Sequence, residues 1–73
     1  MDYKELFALV KGILLGYLKG EPVNAGRLTA AIHNVELAID AAIISGKPTN
    51  ELEDMRMELQ TIDKAVWYAH RGE

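Results

Sequence analysis

The sequence predicts an all-α fold: three helices in an up-down-up bundle, or a helical hairpin with the N-terminal helix packed on it, assembled as an oligomer. Three observations carry this expectation. Apolar residues recur at spacings of three and four through three successive segments, which is the period of an α-helix. Lys19-Gly20 and Gly46-Lys47-Pro48 punctuate the segments where helices should end. The middle segment also carries apolar side chains on two opposite sides, whereas a surface helix of a monomer needs one.

The first helix is expected over about 2–19. Tyr3, Phe7, Val10, Leu14 and Tyr17 keep the 4-3 spacing of a packing seam, with Leu6, Ile13 and Leu18 alongside. Asp2 suits an N-cap, and Glu5 three residues on would complete a capping box. Gly12 and Gly16 lie one turn apart beside Leu9, each costing about 1 kcal/mol of helix propensity relative to alanine. A small pair of this kind admits a close backbone, from this chain or from another. Lys4, Lys11 and Lys19 fall toward one side of the helix. That stripe reads as a solvated face or as a shallow surface for an anionic group, with each lysine acting as a point charge.

Glu21-Pro22-Val23-Asn24 forms the first connection, with Asn24 a good N-cap for a second helix over about 24–45. Leu28, Ile32, Val35, Ile39 and Ala42 make its inner stripe, widened by Ala31, Ala38 and Ile43. Ala30, Leu37, Ala41 and Ile44 make the second stripe, roughly opposite, and something must cover it. Thr49 or Asn50 caps a third helix over about 50–70, and Asn50 with Glu53 would form a capping box. Leu52, Met55, Leu59, Ile62, Val66 and Ala69 form its stripe, while Glu51, Glu53 and Asp54 suit the positive end of the helix dipole.

Seventy-three residues make a single domain over 1–73. A chain of this size buries only about 60% of its unfolded-state surface, so its core is marginal without help. Cysteine is absent, which removes disulfides and thiolate metal sites. Association is the remaining source of stability. Eight basic against eleven acidic residues give a net charge of −3, the opposite of a nucleic-acid binder's footprint. The third helix begins Glu-Leu-Glu-Asp, unlike a DNA-recognition helix. The opening Met-Asp-Tyr-Lys-Glu lacks the basic start of a signal peptide, and Leu6–Leu18, broken by Lys11, is short of a membrane span. A cytoplasmic protein is expected.

No pattern for nucleophilic catalysis, phosphate cradling or helical zinc binding occurs. The polar strip of the second helix holds Thr29, His33, Glu36 and Asp40. Folding the second and third helices back about Lys47 would bring Glu36 level with Glu58, and Asp40 level with Asp54. Four such carboxylates suit Mg²⁺, which takes oxygen ligands and water. The run His33-x-x-Glu36 followed by Glu51-x-x-Asp54 resembles the motifs of the MazG-type all-α nucleotide pyrophosphohydrolases, which carry E-x-x-E and E-x-x-D on successive helices. The likeness covers eight positions, with His33 in place of the first glutamate. It implies a metal-dependent nucleotide hydrolase. Near the C-terminal end, Trp67, Tyr68, His70 and Arg71 cluster. Trp67, at the edge of its stripe, suits a subunit interface, a core border or a base-stacking platform.

These observations favour a non-enzymatic interaction protein without a cofactor: a regulator or inhibitor that binds and occludes a protein partner. Phage-made inhibitors share this size and acidity by analogy. The expected partner or oligomer surface comprises Leu9, Gly12, Gly16, Trp67 and the second stripe, Ala30, Leu37, Ala41 and Ile44. The alternative is an oligomer that sequesters a small nucleotide-like anion with Tyr3, Lys11, Lys19, Trp67 and Arg71. The third is the hydrolase, with Glu36, Asp40, Asp54 and Glu58 on the metal.

Overall fold

The computed structural model describes the backbone of residues 3–71 and the side chains of residues 4–68. Three helices account for most of it: α1 (Tyr3–Leu18), α2 (Ala25–Ile44) and α3 (Asn50–Arg71). They pack against one another, with α2 and α3 making the principal contact. Near its start, Phe7 of α1 lines a hollow with Lys47 and Pro48 of the α2–α3 turn and Leu52 of α3. Near its end, Leu18 lines another with Thr61 and Ile62. Helices α1 and α3 therefore run the same way and α2 runs against them, the up-down-up order expected.

The ends are local chemistry. At Gly20 (φ +81°) and Gly46 (φ +69°) the backbone enters the left-handed region that side chains with a Cβ avoid. Behind Gly20, the Glu21 N–H donates to the Gly16 carbonyl (2.9 Å) and the Gly20 N–H to the Tyr17 carbonyl (3.0 Å). The same pair of bonds recurs at α2, from Lys47 to Ala42 (2.8 Å) and from Gly46 to Ile43 (3.1 Å). Both are Schellman closures. Asn24 caps α2 through its side-chain oxygen, which accepts the Arg27 N–H at 3.0 Å. Thr49, rather than Asn50, precedes α3, and its carbonyl accepts the Glu53 N–H at 2.8 Å. Asn50 is already helical, so the Asn50–Glu53 capping box is out of register. The Asp2 cap lies outside the described residues.

The core is apolar throughout, with no buried polar or charged side chain among the described residues. α2 supplies Leu28, Ala31, Val35, Ile39 and Ala42, and α3 supplies Leu52, Met55, Leu59 and Ile62. These follow the stripes the spacing predicts, with Ile32, Ala38 and Val66 packed at the margins, while the side chain of Ala69 at the end of the α3 stripe lies outside the described residues. Ile43 departs from expectation. It lies at the stripe's edge on the last turn of α2 and stays 64% exposed.

Helix α1 is rotated from its expected seam. Leu6, Val10 and Ile13 are buried, while Phe7 and Tyr17 remain partly in solvent and Leu18 is exposed. The reason is that α1 carries apolar side chains around most of its circumference. Its periodicity alone does not choose which of them face inward.

The glycine pair packs against no neighbouring helix. Gly12 and Gly16 line a small hollow of about 120 Å³ beside the α1–α2 connection, with Pro22 and Arg27 on its far side. A Cβ at Gly16 would meet the Glu21 carboxylate at 3.1 Å, whereas one at Gly12 would meet nothing within 4 Å. Gly12→Ala is therefore expected to stabilise the fold by about 0.5–1 kcal/mol through helix propensity. Urea unfolding at a concentration where the protein is monomeric measures this. A destabilised variant would show that Gly12 is held open for something other than solvent.

Candidate functional site

Two surfaces stand out once the core is assigned. The first is the outer side of α2. Because Leu28, Val35 and Ile39 face inward, residues roughly half a turn away must face outward. Leu37 is 53% exposed and Ile44 86% exposed, with Ala30 and Ala41 exposed on the same line. His33 and Asp40 border this line and are also exposed. The expected second stripe is thus present and open within one chain.

The second surface was not foreseen. α1 and α3 leave an open groove along their outer seam. Its first part, about 510 Å³, has Val10, Leu14 and Met55 among its walls. Three carboxylates from α3, Glu51, Asp54 and Glu58, line it with Lys11 of α1. A second part of about 400 Å³ continues past Leu14 and Glu58 to Tyr17, Leu18, Met57 and Ile62. The two hollows lie end to end along the α1–α3 seam, and Leu14 and Glu58 line both. Sequence reasoning missed it because it assigned Phe7, Leu14 and Tyr17 to the core seam. The available signal was the surplus of apolar residues on α1 over what one seam can bury.

The remaining candidates are dispersed. Leu9 is half-buried against the chain's own core. Trp67 is 52% exposed and sets its ring edge-on to Tyr68, with centroids 5.1 Å apart and planes at 77°. Lys64 Nζ lies 6.0 Å from the centroid of Tyr68, within reach of a cation–π contact. Lys11 sits among carboxylates, and Lys19 lies in the turn after α1, about 12 Å further along. The two lysines do not converge on one anion. Tyr3 and Arg71, the other expected ligand contacts, have side chains outside the described residues.

The expected gathering of Glu36, Asp40, Asp54 and Glu58 does not occur. Asp54 and Glu58 line the α1–α3 groove, and Glu36 and Asp40 project from α2 outside it. No three His, Cys, Asp or Glu side chains group as a metal site among the described residues. The cause is geometric: matched height along a hairpin does not bring side chains together when each projects away from the shared seam. Among the described residues, no helix is long and apolar enough to cross a membrane. No family model, no curated protein and no solved structure matches the chain.

Proposed function

We propose that this protein is a non-enzymatic interaction module, a regulator or inhibitor that binds and occludes a protein partner, and that it self-associates through the outer face of α2. One observation carries the reading: Leu37 and Ile44 stand in solvent on the side of α2 opposite a fully buried stripe. A 73-residue chain with a marginal core gains from covering such a face. The alanines at 30 and 41 keep the face low, which lets another helix approach closely. Self-association and partner binding both use this kind of surface, and the acidic balance of the chain keeps it soluble until the face is covered.

Leu37→Asp tests the reading. The substitution places a charge at the centre of the exposed stripe and removes nothing from the core. Native mass spectrometry across a dilution series is expected to show an oligomer for the parent chain and a monomer for the variant. Circular dichroism is expected to show the same helical content and, at monomeric dilution, a stability within about 0.5 kcal/mol of the parent. A parent chain that is monomeric at all accessible concentrations would remove self-association. A variant that unfolds would mean that Leu37 belongs to the core.

A further inference from the structure

The groove between α1 and α3 differs from the α2 face in charge as well as in shape. Its walls are apolar, from Val10 and Leu14 to Leu18, Met57 and Ile62. Its α3 rim is acidic: Glu51, Asp54 and Glu58 are exposed, Lys11 is the one basic side chain among the described residues lining this part, and Lys47 shares the adjoining hollow with Glu51. Glu51 lies in the first turn of α3, where the helix dipole favours a carboxylate, and Asp54 lies beyond that turn. Glu58 lies about one turn beyond Asp54 and gains nothing there. From Glu51 to Ile62 the groove follows α3 for about 16 Å, or three helical turns.

Two apolar hollows set end to end over three turns of α3 suit an amphipathic helix laid lengthwise. Charge decides whose helix. We propose that this groove binds a basic amphipathic helix of the partner protein. The partner's apolar side chains seat between α1 and α3, and its Lys or Arg side chains face Asp54 and Glu58. A second copy of this chain is a poor occupant through its exposed α2 face, because Asp40 borders that face and would meet the acidic rim. The proposal rests on the reading that the chain works by protein binding, but it uses a surface separate from the α2 stripe.

The test uses a fluorescent amphipathic peptide of about 14 residues, four turns, with leucines at i, i+4, i+7 and i+11 and lysine or arginine elsewhere. Its twin carries glutamate in place of every basic residue. Fluorescence anisotropy with the full chain is expected to show saturable binding of the basic peptide and none of the acidic twin. Asp54→Lys with Glu58→Lys is expected to weaken binding about tenfold, the sum of two rim charge pairs of ordinary exposed strength. Glu36→Lys with Asp40→Lys changes the net charge equally but lies off the groove, so it should leave binding within about twofold. Leu18→Glu, on an exposed apolar wall, should weaken binding without unfolding the chain. The monomeric Leu37→Asp variant should bind as the parent does, which separates this proposal from self-association through α2. Absence of saturable binding below about 1 mM would overturn the proposal. Equal loss in the two charge-reversed pairs would overturn it too, since attraction would then be general rather than local to the groove.

Discussion

Leu59→Ala is expected to lower the melting temperature by about 10–30 °C. Leu59 is fully buried on α3, flanked along its stripe by Met55 and Ile62 and facing the inner stripe of α2. Removing its side chain forfeits burial and leaves a cavity, together about 2–5 kcal/mol. A chain of 73 residues has roughly 4–11 kcal/mol of stability in total. The variant therefore loses a large fraction of its stability and can unfold at growth temperature. Met57→Ala is the matched control two positions earlier on the same helix. Met57 is 67% exposed, and its truncation should cost no more than about 0.5 kcal/mol. Calorimetry on both variants decides the matter. Similar losses from the two would mean that the inward face of α3 is wrongly assigned.

Ala31→Leu is expected to destabilise the fold by about 1–3 kcal/mol, in the opposite steric sense. Ala31 is completely buried on α2, and the space there is set by a methyl group. Leucine and alanine have similar helix propensities, so the backbone contributes little to the difference. The loss comes from overpacking, which pushes α2 away from its neighbours. Ala30→Leu applies the same substitution one residue earlier, on the exposed face. It should leave monomer stability within about 0.5 kcal/mol and, if the α2 face self-associates, shift the oligomer equilibrium instead. Denaturant unfolding at monomeric dilution, followed by sedimentation at higher concentration, separates the two effects. A neutral Ala31→Leu would show that the α2 contact is looser than the burial of Ala31 implies.

Much of the candidate surface was legible in the sequence where one residue type has one environment. The α2 face was readable because two apolar stripes on opposite sides of a helix cannot both enter one core. The groove was not readable, because its walls come from two helices whose relative rotation is not a local property. The carboxylates of α2 and α3 show the same limit. Their positions along the chain match in height, yet their side chains leave in different directions.

By itself the sequence determined the three helices, the turns that close α1 and α2, the cap of α2, and most of the inner stripes of α2 and α3, with Ile43 the exception. Those features follow from backbone chemistry at Gly20, Gly46 and Asn24 and from a single well-separated apolar period. Only the tertiary structure decided the rotation of α1, which buries Leu6, Val10 and Ile13 and leaves Phe7 and Leu18 on the groove side. A helix that is apolar around most of its surface has several nearly equivalent ways to pack. Its orientation is chosen by the shape of the α2–α3 pair it must fit, and no residue of α1 encodes that shape.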